Sequence, residues 1–192
     1  MTGAAPGPAG GPWRPTREQV AAAEGRTVPD VIGPNLDVLF VGINPGLYSG
    51  AVGHHFARPG NRFWKALHGS GFTPTVLSAF DEGSLPALGV GVTNLVERAT
   101  RGADQLDAAE LREGAVEVEA KVCRLRPRAV AFLGVGAYRS AFGLPGANIG
   151  PQDRMICGAR LWVLPNPSGL NAHYQLGDLI SAFGELRAAL RS

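Results

Sequence analysis

The chain has 192 residues, with 18 Lys and Arg against 16 Asp and Glu, which gives a formal net charge of +2. This length favours one domain with a substantial core, and so small a net charge excludes binding of polyanions by bulk charge alone. The sequence shows neither a signal-peptide pattern nor an apolar run of about 18 residues. It therefore predicts a soluble, cytoplasmic protein that does not contact a membrane.

The cysteines and histidines do not have the spacing of metal ligands. Cys123 and Cys157 lie far apart and are too few for an iron–sulfur cluster, so each is predicted to be a small buried hydrophobe. His54 and His55 are adjacent, so their side chains diverge. No metal site and no cofactor are predicted.

The amino-terminal part of the chain differs in composition from the rest. Residues 1–30 are rich in Gly and Pro and are predicted to form a flexible extension, while residues 31–192 form a single domain. Within the extension, Thr16 and Gln19 have the spacing of a capping box, which predicts a short helix through Ala23.

Apolar segments alternate with helical patterns in the domain. The strand candidates are 36–43, 88–93, 129–133 and 161–164, and residues 155–157 either pair with the last as a hairpin or precede it as a consecutive strand. The helix candidates are 61–69, 107–125, a short segment ending at 142, and 176–190. This alternation predicts an α/β fold of three layers, with a mostly parallel central sheet between helices.

Asparagine side chains follow three of the predicted strands. Asn44 follows the first strand, Asn94 the second, and Asn166 the strand at 161–164. Open α/β sheets bind ligands at the carboxyl ends of their strands, so these residues are expected to converge on one pocket. Asn44 before Pro45 is also typical of a simple turn, but a second Asn-Pro pair at residue 166 favours a functional role.

The predicted pocket offers amides, backbone N–H groups and the ring of Phe56, which can bind a planar heterocycle by its edge and by stacking. A carboxamide such as that of Asn44 is a poor general base, but it can orient a water molecule. Hydrolysis of an N-glycosidic bond fits, because departure of an anionic base leaves an oxocarbenium-like sugar that needs a positioned water. The Gly-x-Ser-x-Gly and P-loop patterns do not occur, which argues against a serine nucleophile and P-loop phosphate transfer.

Several motifs, in the right order, resemble the mismatch-specific uracil/thymine-DNA glycosylases within the uracil-DNA glycosylase superfamily. They are GINPG at 42–46, GHHF at 53–56, PGNRFWK at 59–65, TNLVER at 93–98 and NPSGLN at 166–171. The resemblance implies a monofunctional, monomeric enzyme without cofactor or metal. Such an enzyme flips uracil, or thymine mispaired with guanine, out of double-stranded DNA and hydrolyses its glycosidic bond, which initiates base excision repair.

The resemblance also implies roles for residues of the first motifs. Asn44 would hold the attacking water as the catalytic residue, and Phe56 would stack on the flipped base. Ile43 and Phe56 would offer backbone contacts, and Ser49 would line the C5 edge of the pyrimidine. Asn94 would line the same base pocket.

The NPSGLN motif implies the contacts to DNA outside the pocket. Gly169 and Leu170 match a wedge that enters the space left by the flipped nucleotide, which an apolar side chain can fill. Asn166 and Ser168 would line the pocket or bind phosphates, and Asn171 would contribute to the same contacts.

Two positions depart from the family patterns. Bacterial members of the best-known type have lysine where this chain has Asn94, whereas the eukaryotic branch has asparagine. The wedge loop has no arginine at the position that contacts the opposite guanine, so His173 or Asn171 could substitute for it.

Two other functions remain open on the sequence. The protein could be a catalytically silent binder of damaged DNA, which would recognise mismatches without releasing a base. It could also be a nucleoside or nucleotide hydrolase, although such an enzyme would not need a wedge like Leu170.

Overall fold

The structure is a computed structural model and describes residues 13–191. Predictions for residues 1–12 lie outside the described residues. The helices are α1 (Arg17–Ala21), α2 (Leu47–Val52), α3 (Phe63–Gly69), α4 (Ala108–Leu125), α5 (Val135–Phe142) and α6 (Leu176–Arg191). The strands are β1 (Val38–Gly42), β2 (Val90–Asn94), β3 (Ala129–Leu133), β4 (Gly150–Ile156) and β5 (Ala159–Leu164), and two 3-10 helices span Ala79–Leu88 and Ala103–Gln105.

The five strands form one sheet in the order β2-β1-β3-β5-β4. The strands β2, β1, β3 and β5 are parallel, and β4 pairs antiparallel with β5 at one edge. Gly42 at the end of β1 is paired with Asn94 at the end of β2. The predicted α/β fold with a mostly parallel sheet is confirmed, and residues 150–164 form the hairpin rather than consecutive parallel strands.

Alternate residues of the central strands pack on opposite faces of the sheet. In β1, Val38 and Phe40 belong to the core under α3 and α6, whereas Leu39 and Val41 belong to the core under α4 and α5. All five residues of β1 are buried, which explains why the strand is a continuous apolar run instead of an alternating one. The result is three layers. Within residues 13–191, none of the helices is both long enough and apolar enough to cross a lipid bilayer.

Helix α2 occupies a stretch that the sequence predicts to be loop. The segment Leu47–Val52 has only six residues and includes Gly50, so it carries no helical periodicity that a pattern can reveal. Gly50 is required there because a Cβ atom would lie 2.7 Å from the Cβ of Ala99. Close packing, rather than helix propensity, selects this residue.

The predicted capping box at the amino terminus is confirmed, since Thr16 accepts a hydrogen bond from the Gln19 N–H and the Gln19 side chain accepts one from the Thr16 N–H. The helix ends at Ala21, two residues before the predicted end. The segment after it contacts the domain, because Ala23 is fully buried and the Gly25 N–H donates to the Ala99 carbonyl at 2.9 Å.

The prediction that the two cysteines are buried hydrophobes is wrong. Cys123 and Cys157 form a disulfide, and both residues are exposed. The bond joins the last turns of α4 to the β4–β5 turn, where Cys157 and Gly158 both have positive φ angles of 47° and 87°. Residues separated by 34 positions meet only through the tertiary fold, so their spacing gives no sign of the pairing.

Candidate active site

A cavity of about 170 Å³ lies at the carboxyl ends of β1, β2, β3 and β5. This volume is below the roughly 300 to 1,000 Å³ typical of drug-sized ligands, so it suits a single base better than a nucleotide. The predicted site residues that line it are Ile43, Asn44, Ser49, Phe56, Asn94, Asn166, Ser168 and Leu170. Gly169 and Asn171 do not line the cavity and lie in the adjoining loop.

Backbone hydrogen bonds continue beyond the strand ends and place the segment after β2 beside Asn44. The Leu95 N–H donates to the Gly42 carbonyl at 2.8 Å and the Val96 N–H to the Ile43 carbonyl at 2.9 Å. Farther along, the Thr100 N–H donates to the Pro45 carbonyl at 3.1 Å. The turn that carries Asn44 is therefore held on one side by a ladder of backbone hydrogen bonds, which is interrupted between Val96 and Thr100.

The side chain of Asn44 is oriented by two acceptors on this segment. Its Nδ2 donates to the Arg98 carbonyl at 3.0 Å and to Thr100 Oγ1 at 2.7 Å. Thr100 is fully buried, and its hydroxyl donates to the Gly102 carbonyl at 2.8 Å. Because Nδ2 makes both bonds, Oδ1 is the atom left to accept a hydrogen bond from a water in the cavity.

A charged pair anchors the segment that orients Asn44. The Arg98 guanidinium donates to both carboxylate oxygens of Glu110, at 2.6 and 2.8 Å. Hydrogen bonding to Arg98, with a further bond from the Asp107 N–H, lowers the pKa of Glu110 to about 2. The pair is therefore ionised at neutral pH, and it ties the segment that carries the Arg98 carbonyl to the first turn of α4.

Phe56 forms one wall of the cavity and is braced from behind. Its ring stacks on Phe63 of α3, with centroids 4.1 Å apart and an interplanar angle of 25°. Phe56 has a φ angle of 51°, a left-handed conformation that costs energy for an aromatic residue and that is found at functional sites. Ser49 stabilises this loop, since its Oγ accepts from the Ala57 N–H at 3.1 Å.

Asn94 is oriented by a buried histidine. The Pro29 carbonyl accepts from Nε2 of His55 at 3.0 Å, which leaves Nδ1 of the neutral ring to accept from Asn94 Nδ2 at 3.3 Å. Asn94 Oδ1 is then directed toward Gly42, where any Cβ atom would collide with it. The first glycine of the GINPG motif is thus required because the Asn94 amide leaves no room for a Cβ atom at that position.

Burial keeps His55 neutral. His55 is 2% exposed, and desolvation lowers its pKa below the ordinary 6.5, although the nearby Glu82 carboxylate acts in the opposite direction. Glu82 itself accepts from the His55 N–H at 2.9 Å and contacts Nδ1 of His54 at 2.7 Å. The double histidine therefore supports the wall of the pocket, and its two side chains diverge as predicted.

The loop between β5 and α6 forms the rim of the cavity. Asn166 shapes it, since its Oδ1 accepts from the Ser168 N–H at 2.9 Å and its carbonyl accepts from Asn171 Nδ2 at 3.0 Å. Leu170 is 72% exposed on this rim. An apolar side chain that is held out into solvent beside a pocket is available to contact a partner.

The chemistry of the lining is neutral inside and cationic at the mouth. Among the described residues that line the cavity there is no carboxylate, and Arg58 and Arg101 are exposed at its edge. Such a cavity can bind a polar base, orient a water and attract phosphate. Within residues 13–191, no group of three or more His, Cys, Asp or Glu side chains lies together in a way that could hold a metal.

Sequence reasoning did not find Thr100, Arg98 or His55 as supports of the site. TNLVER places Arg98 in a motif but says nothing of its carbonyl, and Thr100 lies two residues beyond it. The contacts of Thr100 and Arg98 with Asn44 depend on the ladder between residues 42–46 and 94–100, and those of His55 depend on the loops that carry Pro29 and Glu82. Pattern reading reveals neither.

Comparisons with known proteins bear on the fold and on the family of this chain. A solution NMR structure from Methanosarcina acetivorans, of a protein provisionally described as a uracil DNA glycosylase, has 21% sequence identity and a TM-score of 0.52. The match covers 85% of this chain and 98% of that one, and at such identity it shows the fold alone. The family model of the uracil DNA glycosylase superfamily matches residues 29–191. Because that match spans most of the sequence, the chain belongs to the uracil DNA glycosylase superfamily.

Proposed function

We propose that this protein is a monofunctional DNA glycosylase that flips uracil out of G·U mispairs in duplex DNA and hydrolyses its N-glycosidic bond. Thymine opposite guanine is the second substrate. Glycosylase activity on DNA in general follows from membership of the superfamily. Mismatch preference, the flipping step and a monomeric state are parts of the proposal.

The orientation of Asn44 is the observation that carries the proposal. Its amide is held by the Arg98 carbonyl and by Thr100, so that Oδ1 is free to bind a water inside a cavity walled by Phe56. A base stacked on that ring would present its glycosidic bond to the same space. Orientation of one water suits this reaction, since the base departs as a resonance-stabilised anion and leaves an electrophilic sugar that a positioned water can attack.

The reaction balances with the groups present. The bond between C1′ and N1 of the base breaks, and its electron pair departs on the base. The water oxygen held by Asn44 forms the new bond to C1′, and the proton it releases is taken up in the end by the base. Asn94 supports the leaving group, because its amide can donate to a pyrimidine carbonyl and accept from the N3–H.

Ser49 is proposed to control entry of the thymine methyl group. It is 5% exposed and lines the cavity, and its Oγ is occupied by the Ala57 N–H. A methyl group beside this hydroxyl would meet a polar atom that cannot turn away without losing that bond. We therefore expect uracil to be processed faster than thymine.

The rim supports action on duplex DNA. Leu170, exposed on this rim, would fill the space that the flipped nucleotide leaves, and an apolar side chain in that space recovers part of an unstacking cost of a few kcal/mol. Arg58 and Arg101 at the mouth are suited to the phosphates on either side. Ser168 and Asn171 lie in the same loop, next to these contacts.

The test is a gel assay with purified protein and a duplex that contains one G·U mispair, in the presence of a chelator. We expect conversion to an abasic site, and we expect Asn44→Ala to fold normally while losing most of the activity, by about a hundredfold or more. Full activity in Asn44→Ala would show that Asn44 is not the catalytic residue.

A catalytically silent DNA binder is the alternative, and the same assay decides between the two. Retention of the mismatched duplex in a mobility shift without release of any base would favour the binder. Release of base from free nucleosides at the duplex rate would instead favour a nucleoside hydrolase.

A further inference from the structure

We infer that Arg62 is a positioning residue that binds the wedge loop, defined as residues 166–174, to the start of α3. This contact holds Leu170 at a set distance from the ring of Phe56. The inference rests on the proposed function and deepens it. It assigns to Arg62 a role in strand opening that is separate from the chemistry at Asn44.

Within residues 13–191, the hydrogen bonds of the Arg62 guanidinium all go to the wedge loop. Its guanidinium donates to the carbonyls of four loop residues: Pro167 at 3.4 Å, Ser168, Asn171 at 2.9 Å, and Tyr174. The backbone N–H of Arg62 also donates to the Pro167 carbonyl at 3.0 Å. No carboxylate within residues 13–191 is paired with this guanidinium.

This pattern uses what is particular to arginine. The guanidinium carries five N–H donors in a rigid plane, and the loop presents carbonyls that no helix or strand satisfies. A lysine ammonium has three donors at the end of a flexible stem, so it could bind some of these four oxygens but not all of them at once. The loop is therefore organised around the arginine fork, in addition to its own short turns.

A close approach between two backbone segments supports the same position of the wedge loop. A Cβ atom on Gly169 would lie 2.6 Å from the Gly60 carbonyl oxygen, so the tip of the wedge loop rests directly on the turn before α3. Gly60 has a φ angle of 88°, which suits glycine in that turn. The wedge loop and the turn before α3 thus contact each other through Gly169 and Gly60, and the hydrogen bonds of Arg62 lie beside this contact.

Arg62 is adjacent to the residue that supports the base-stacking ring. Phe63 stacks behind Phe56, and its N–H donates to Asn61 Oδ1 at 2.9 Å. Two neighbouring residues therefore support the two halves of the site, since Arg62 holds the wedge loop and Phe63 holds the stacking platform. A wedge that is ordered before DNA binds loses less conformational entropy on insertion.

The experiment compares Arg62→Ala and Arg62→Lys with wild type on two substrates, under single-turnover conditions. One substrate has uracil opposite guanine in a continuous duplex, and the other has uracil opposite a one-nucleotide gap, where less stacking opposes flipping. Arg139→Ala is the matched control, because Arg139 is also half-buried and donates to a loop carbonyl, that of Ala147, away from the cavity.

We expect Arg62→Ala to lower the rate on the continuous duplex by up to about a hundredfold, with a loss of about threefold or less on the gapped substrate. A 2-aminopurine beside a non-cleavable 2′-fluorinated uracil nucleotide should brighten less than with wild type, because fewer bases are flipped. Arg62→Lys should lose most of the duplex rate, and Arg139→Ala should match wild type.

Equal losses on both substrates, or full rescue by lysine, would overturn the inference, since the first indicates a general structural defect and the second a need for charge alone. If Arg62→Ala does not fold, Gly169→Ala decides, because its Cβ lifts the loop while Arg62 stays intact and should shift the same substrate ratio. A wild-type protein that releases no base from either substrate would refute the proposed function instead.

Discussion

At the scale of single residues, the orientation of the Asn44 amide depends on the hydroxyl of a neighbouring threonine. Thr100 accepts from Asn44 Nδ2, so Thr100→Val keeps the shape of the side chain and removes the acceptor. We expect kcat to fall about tenfold with little change in KM, since a misdirected water costs rate rather than binding. Single-turnover and steady-state kinetics on a G·U duplex measure both constants.

Thr73→Val is the matched control for that substitution. Thr73 is 3% exposed, and its hydroxyl likewise donates to a carbonyl, that of Thr75, at 2.8 Å. It does not line the cavity. Both variants should lose about 1 kcal/mol of stability, but only Thr100→Val should lose rate. Equal rates in the two variants would show that Asn44 keeps its orientation without Thr100.

His55 gives the site a dependence on pH. Because burial lowers its folded pKa below the ordinary 6.5, the unfolded chain binds a proton first as pH falls, and stability declines below about pH 6.5. Once the lowered folded pKa is reached, Nδ1 gains a proton and can no longer accept from Asn94. Stability should thus be full above pH 6.5, and activity should fall at a lower pH than stability does.

Thermal melting between pH 5 and 8 for wild type and His55→Gln tests this dependence. Glu82, His54 and Asp30 surround His55 and remain in both proteins, so the difference between the two curves isolates the imidazole. The variant should show a shallower decline between pH 7 and pH 5. Parallel curves would mean that other groups cause the acid sensitivity.

At the scale of elements, helix α4 packs directly against the backbone that follows β2. A Cβ atom on Gly114 would lie 2.8 Å from the carbonyl carbon of Leu95. Because this neighbour is backbone, it cannot move aside as the end of a flexible side chain could. Gly114→Ala should therefore destabilise the protein by about 1 to 3 kcal/mol and, through the neighbouring Asn94, lower activity as well. Urea unfolding and the duplex assay measure the two effects.

Gly184→Ala is the contrasting substitution in another helix. Gly184 lies inside α6, and a Cβ there would have no atom within 4 Å. Alanine should stabilise the helix by about 0.5 to 1 kcal/mol without any change in rate. Destabilisation by both substitutions would mean that helix packing around the glycines differs from the structure described.

The elements also explain which features the sequence reveals. The strands β1 and β3 are continuous apolar runs. Helix α4 has a capping box, and its apolar residues recur every three or four positions. Sequence patterns therefore predict these three elements. Helix α2 is too short for such a pattern. The convergence of Asn44, Asn94 and Asn166 follows from parallel topology alone, whereas the supports at Thr100, His55 and Arg62 depend on which loops meet, and local patterns do not contain that information.

At the scale of the whole molecule, the candidate active site and the disulfide lie at opposite edges of the sheet, at the carboxyl and the amino ends of its parallel strands. The pocket lies where β1, β2, β3 and β5 end, and the disulfide Cys123–Cys157 lies where β3 and β5 begin. Between them stand buried strands such as β3, whose five residues are all buried. A local change at one edge should therefore have little effect on geometry at the other.

Reduction of the disulfide tests this separation. For residues 34 positions apart, cross-linking is expected to stabilise the fold by about 3 to 4 kcal/mol, so reduction or the double substitution Cys123→Ser with Cys157→Ser should lower Tm by roughly 10 °C. The duplex cleavage rate at 25 °C should remain that of the oxidised protein, because Asn44, Phe56 and the wedge loop keep their supports. Calorimetry and the gel assay on the same samples measure both quantities, with alkylation and mass spectrometry to confirm the thiol state. A rate that falls with reduction, while the protein is still folded, would show that the two edges are coupled through the sheet.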